Sequence, residues 1–306
     1  MKKPFAEYKA FKGENTVSDS LALKKGEVQS ALDIDFDIDR GGHRKQLGSV
    51  LALAGIYDNI WSNGTIMLAT DSSGDLLRIF EDLTTEVLRS DVGTAPMSYV
   101  DPAGIGVIYY SNKIVIGYVK HGVSYVMGST SIRDKIDTFP MYPIEYFGNR
   151  LWGFVDNVLW RTDPDELFYF NRITEDEGFY QRKGTGTLLK AVKDGLYIAD
   201  GSHHFIRNAG RKEEEWDWLC SYDAIPNTAT QDPVDLEVFY ENTEQVVSGK
   251  GHIWITDKGF RFGLSGGISG NLSRKQIVMP DGIIRGASLH ISNDERFNRF
   301  IVSLTN

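Results

Sequence analysis

Four groups of residues have the types and spacing that chemistry needs. Asp33, Asp35, Asp37 and Asp39 alternate with Leu32, Ile34, Phe36 and Ile38. Closely spaced aspartates open a calcium loop. An EF-hand loop counted from Asp35, however, needs Gly at its sixth position and Glu at its twelfth, where Arg40 and Gln46 stand. The strict period of two instead predicts a strand with one acidic, solvent-facing side. His203-His204 offers two imidazoles, yet neighbours on a strand point to opposite faces and cannot share one metal ion. Glu213-Glu214-Glu215 before Trp216-Asp217-Trp218 sets carboxylates beside aromatic rings, the composition of a sugar site. Nothing fixes two of those carboxylates at a set separation, so the stretch reads as a solvated acidic loop. Cys220 follows apolar Leu219 and has no base nearby in sequence, which predicts a small core residue rather than a nucleophile. The chain has no phosphate loop, His-Glu-x-x-His or Cys-x-x-Cys. The expectation is a non-enzyme with no catalytic residues, no metal and no cofactor.

Composition narrows the class. At 306 residues, 41% hydrophobic and 25% charged, the chain can bury a large core as an ordinary globular protein. Its 31 glycines and 12% aromatic residues favour strands and turns. A net charge of -9 repels bare duplex and anionic membranes on average. With Cys220 as its single cysteine, the chain cannot form an internal disulfide. No signal-peptide core follows Met1, and nowhere do 18 apolar residues run together. Synthesis in the cytoplasm without membrane insertion is expected.

The elements that would position such residues are strands. Residues 1 to 20 are polar and lack either period, which predicts an extended arm that needs a partner. Leu32 to Ile38 forms a strand, ended by Gly41-Gly42 and followed by His43-Arg44-Lys45. Beyond Gly48 a unit of three short apolar runs separated by turns recurs six times. Its middle runs begin at Ile66, Ile114, Leu151, Leu196, Ile253 and Ile301, at spacings of 48, 37, 45, 57 and 48 residues. This is the repeat of propeller blades. The predicted fold is all-β, a β-propeller of about six blades over residues 49–306, with a β-sandwich as the alternative. Residues 1–48 supply the arm and the strand that closes the ring, because the last unit stops short and an open edge invites aggregation. Asp boxes, paired WD repeat signatures and repeated kelch double glycines are absent.

The stretch from Asn15 to Gly48 resembles the opening of virion propeller proteins of tailed bacteriophages. The resemblance rests on a polar Asn-containing arm, then Leu32-Asp33-Ile34-Asp35, Gly41-Gly42, Arg44-Lys45 and Gly48. Those families include tail nozzle or hub proteins of short-tailed phages and head-to-tail joining proteins. The resemblance implies a virion structural protein of the tail or head-to-tail connection, made in the host cytoplasm. It implies a homo-oligomeric ring with portal, adaptor or other tail proteins as partners. DNA would pass along the channel without sequence-specific binding, helped by an acidic wall that repels phosphate. The interaction residues expected on this basis are Asn15, Asp33, Asp35, Asp37, Arg44 and Lys45, with Trp216 and Trp218 as further contacts. The rival expectation is a propeller that binds or cleaves host surface glycan through Trp216 to Trp218.

Overall fold

In the computed structural model, side chains are described for residues 55–102, 104–127, 139–163, 178–208, 216–238 and 246–272; several further strands are described by backbone alone. Among the latter, β1 (Gly13–Glu14) pairs in parallel with β2 (Glu27–Val28), and β3 (Ile34–Asp37) pairs antiparallel with β4 (Gly41–Arg44). Gly41-Gly42 therefore opens a return strand rather than ending the element. β3 pairs with β4 as a two-stranded sheet among the described residues.

Five four-stranded antiparallel sheets carry the rest of the fold. Blade I comprises β5 (Tyr57–Ser62), β6 (Met67–Asp71), β7 (Leu76–Ile79) and β8 (Thr85–Arg89). Blade II comprises β9 (Ser98–Val100), β10 (Ile108–Ser111), β11 (Ile116–Lys120) and β12 (Val123–Val126). A small pair, β13 (Lys135–Asp137) with β17 (Tyr169–Asn171), flanks the first three strands of blade III. That blade comprises β14 (Ile144–Phe147), β15 (Arg150–Val155), β16 (Val158–Arg161) and β18 (Phe179–Gln181). Blade IV comprises β19 (Leu188–Val192), β20 (Gly195–Ala199), β21 (His203–Arg207) and β22 (Asp217–Cys220). Blade V comprises β23 (Val234–Tyr240), β24 (Gln245–Thr256), β25 (Gly259–Leu264) and β26 (Ser269–Asn271). A two-stranded unit, β27 (Arg285–Asp294) with β28 (Phe297–Thr305), follows and lies against β5.

The unit is thus four strands, not the three expected from the apolar runs. First strands begin at residues 57, 98, 144, 188 and 234, a repeat of 41 to 46 residues. The wider spread read from sequence has local causes. Ile114 lies in the turn between β10 and β11, and the supposed turn Gly249-Lys250-Gly251 lies inside the twelve-residue strand β24. Glycine at 251 serves close approach, since a Cβ there would sit 2.1 Å from the Gly263 carbonyl oxygen. The tight turns were legible. His121-Gly122 and Gly148-Asn149 both take positive φ at both positions, as a two-residue type I′ hairpin requires.

Blades stack face to face because neighbouring residues of each middle strand point opposite ways. Leu151 packs towards blade II with Met141 and Ile144, whereas Trp152 packs towards blade IV with Leu189 and Leu196. Tyr109 and Tyr110 divide in the same manner, and so do Leu196 and Tyr197. Being covered on both faces, β20 is buried along its whole length, which explains its unbroken apolar run Gly-Leu-Tyr-Ile-Ala. Outer strands such as β8 are largely exposed. This radial stack of four-stranded meanders, with first strands innermost, is a β-propeller.

Candidate functional site

The innermost strands surround an axial cavity of about 270 Å³, bordered by Asp58 of β5, Ser98 of β9, Lys190 of β19, and Asn227 and Gln231 from the segment before β23. A continuous polar network spans its walls. Glu145 Oε2 of β14 lies 3.5 Å from Lys190 Nζ, and that ammonium donates to the Gln231 carbonyl oxygen at 3.1 Å. The Gln231 carboxamide in turn accepts from the Ser62 N–H at 3.3 Å and donates to the Ile60 carbonyl at 3.2 Å. Blades III, IV, V and I are therefore tied around the axis. Ser98 joins blades II and III, donating to the Ile144 carbonyl and accepting from its N–H, both at 3.2 Å. Asn59, at a bulge with φ of 52°, joins blades I and II. Its amide donates to Thr70 Oγ1 at 2.8 Å, and its carbonyl accepts from the Met97 N–H at 2.9 Å.

Residues 224–230 run along the inner side of β24 as an irregular extra strand. The Ile225 N–H donates to the Ile255 carbonyl at 2.9 Å, and the Thr230 N–H to the Ile253 carbonyl at 2.8 Å. The Thr228 and Thr230 hydroxyls accept from the Ile255 and Ile253 N–H groups at 3.0 and 3.2 Å. The buried Thr228 and Thr230 hydroxyls thus both have partners, which makes their burial tolerable.

Electrostatics on the axis follow from burial. Desolvation raises the Glu145 pKa, opposed by the Lys190 ammonium and the Tyr146 N–H. His252 is pushed down to about 3, first by burial and then by Lys190. Its Nε2 lies 2.9 Å from the Ala191 carbonyl, and its Nδ1 lies 3.0 Å from the Thr230 hydroxyl and 3.1 Å from the Thr230 carbonyl.

A second buried cluster lies between blades IV and V. His203 Nδ1 meets the Tyr222 carbonyl at 2.6 Å, and Nε2 accepts from the Trp254 indole at 2.9 Å. Burial lowers its pKa to about 4, with Arg261 adding to the effect. Cys220 Sγ lies 3.3 Å from Nδ1. That nitrogen carries the proton donated to Tyr222, so it cannot take one from the thiol, and the pair is packing rather than a nucleophile with its base. Cys220 is buried, as expected from its sequence context. A third cluster holds Arg182 between Asp200 and Trp216. The guanidinium donates to Asp200 Oδ2 at 2.7 Å and lies 4.7 Å from the Trp216 ring. Ser202 Oγ and His204 Nε2 approach to 2.9 Å nearby. Asp200, which could orient such a pair, is turned to Arg182 instead.

The expected contact residues meet different fates. Trp216 is a core side chain, 8% exposed, stacked edge-on against Tyr180 at 5.0 Å, whereas Trp218 is 62% exposed on β22. One ring is in the core and the other at the surface, so they do not form one exposed aromatic platform. Asp35, Asp37 and Arg44 lie on the β3–β4 hairpin, where Asp35 pairs with His43, Asp37 with Gly41 and Ile34 with Arg44. Asn15, Asp33 and Lys45 lie outside the described residues, as do Glu213 to Glu215. Glu145, Lys190 and Gln231 were not singled out from sequence. A signal existed for two of them, since Glu145 and Lys190 are lone charges inside the apolar runs Ile144–Phe147 and Leu188–Val192.

No family model and no curated protein matches the chain. Several solved structures are similar to it in shape. BBS1N in complex with ARL6DN is 9% identical, with 83% of this chain and 77% of that one covered, at a TM-score of 0.49. Virginiamycin B lyase from Staphylococcus aureus is 9% identical, covering 80% and 83%, at 0.47. The WD40 β-propeller domain of Doa1 is 10% identical, covering 83% and 91%, at 0.41. Among the described residues no helix is long and apolar enough to cross a membrane, and no three His, Cys, Asp or Glu residues gather as a metal site.

Proposed function

We propose that the chain is a structural component of a tailed-phage virion, assembled in a ring at the tail or the head-to-tail connection, and that it performs no chemistry. The observation that supports this reading is the use made of the axial polar groups. In the propeller they bind blade to blade, with Glu145, Lys190 and Gln231 spent on cohesion. The N-terminal Asn15 to Gly48 stretch that resembles the phage proteins contains the β3–β4 hairpin.

The axial cavity of about 270 Å³ is of small-molecule size and is narrowed by residues 225–231. A duplex cannot thread it. The DNA channel in this reading is a lumen between copies, with each propeller standing in its wall. The net charge of -9 then lets phosphate slide past without adhering. The test is purification of particles carrying a tagged chain. Recovery with portal or tail proteins at a fixed copy ratio is the expected outcome; a tagged chain absent from particles overturns the reading, as does glycan hydrolysis by the purified protein.

A further inference from the structure

Blade II ends on a strand that lacks the usual protection of an edge. β12 is outermost in its sheet, so one row of its backbone N–H and C=O groups has no ladder partner among the described residues. Its sequence is Val-Ser-Tyr-Val, with Val123 at 51%, Tyr125 at 44% and Val126 at 64% exposure. Edge strands are normally blunted by charge, proline or a bulge, because a bare one is a template for a further strand. The outer strands of three other blades follow that rule better: β8 carries Glu86 and Arg89, β22 begins with Asp217, and β26 is Ser-Gly-Asn. β12 lies beside β8, which adds exposed Val87 to the same rim. The turn joining β7 to β8 and the start of β8 put exposed Glu81, Asp82 and Glu86 there as well. The rim is therefore apolar in the middle, and on the blade I side it carries the three exposed carboxylates beside the half-buried Arg78 and Arg89.

One segment of the chain has the complementary chemistry. Residues 1–12 carry Lys2, Lys3, Lys9 and Lys12 against Glu7, a net of +3 within a chain of net -9, and they include Phe5, Tyr8 and Phe11. When the segment is extended, Ala6, Tyr8 and Ala10 fall on one side. We propose that residues 1–12 of a second copy add to β12 as a fifth strand of blade II. Backbone pairing supplies the affinity in such a strand addition, and side chains supply the register. Here Tyr8 covers Val126, while the lysines meet Glu81, Asp82 and Glu86. The contact is head to tail, one copy's arm on the next copy's blade, and such contacts repeat into a closed ring. The pairing deepens the assembly reading above by naming the surfaces that would join the copies.

Engineered cysteines test it cleanly, because native Cys220 is buried. Full-length chain carrying Tyr8→Cys is mixed with chain carrying Val126→Cys under mild oxidation. A disulfide-linked dimer on a non-reducing gel is expected. Rings that assemble with no such dimer overturn the pairing while leaving the virion reading standing, whereas a chain that never self-associates and is absent from particles removes both. A chain carrying both substitutions reports the other geometry: cross-linking within single chains assigns the segment to its own blade and overturns the second-copy assignment. As an independent measurement, a labelled peptide of residues 1–14 is titrated onto the full-length chain. Val126→Lys is expected to weaken its binding about tenfold, and raised salt to weaken it further. A Lys9→Glu/Lys12→Glu peptide that binds as well as the parent overturns the charge match without touching the propeller.

Discussion

Gln231 fastens the fifth blade to Ile60 of the first, 171 residues away, by donating its carboxamide to the Ile60 carbonyl at 3.2 Å. The same side chain accepts from the Ser62 N–H at 3.3 Å. One glutamine thereby imitates a β-bridge between β5 and the segment before β23. Replacing it with leucine leaves both backbone groups half-satisfied in a partly buried place. Gln231→Leu is expected to destabilise by about 1–2 kcal/mol. Urea unfolding reads the loss, and hydrogen exchange should quicken at the Ser62 amide before it does in blade III.

Lys190 is the cation on which the axial network converges. Lys190→Met removes the partner of Glu145, whose pKa burial already raises. A carboxyl with a raised folded-state pKa binds its proton more tightly when folded, so its contribution to stability is present at low pH and is lost as pH rises through that pKa. The variant should therefore be weakest at alkaline pH, by about 3 kcal/mol, and recover on acidification. Adding Glu145→Gln should restore part of the loss at pH 8; a double variant no more stable than Lys190→Met would contradict the pairing.

Acid should loosen the wheel from inside. The folded-state pKa values of His203 and His252, about 4 and about 3, lie below the usual 6.5. A depressed histidine binds more protons unfolded than folded. Stability is then full above about 6.5 and falls as pH drops from there towards 4, with His203 contributing on the order of 3 kcal/mol. Urea midpoints across that window should decline steeply. His203→Gln should flatten the slope, although it also removes the acceptor of the Trp254 indole and so lowers stability at neutral pH.

The two tryptophans beside Asp217 should behave oppositely. Trp216→Ala empties a buried site against Tyr180 and Arg182 and is expected to cost about 3–5 kcal/mol. Trp218→Ala alters an exposed ring and should stay within about 0.5 kcal/mol. Thermal unfolding separates them. Equal losses would mean that Trp218 is covered, for instance by another copy.

Much of the architecture was legible because strands advertise themselves locally. Leu151, Trp152 and Phe154, or Leu196, Tyr197 and Ile198, form apolar runs bounded by turn residues, and all are buried. The fourth strand of each blade was harder to see. β8 and β22 lie at the rim and carry exposed polar residues, β26 is Ser-Gly-Asn, and all three lack the run that marks a buried strand. Trp216 illustrates the converse error, since an acidic flank made a core residue look like surface.

The sequence by itself determined the class: frequent turns, one cysteine, short apolar runs and a repeat of blade length, all properties of neighbours along the chain. Only the tertiary structure decided how the wheel is held. Glu145, Lys190, Gln231 and Ile60 come from four blades and share no local pattern. They meet because successive sheets turn their first strands to a common axis, and burial there makes every charge seek a partner that only radial packing can supply.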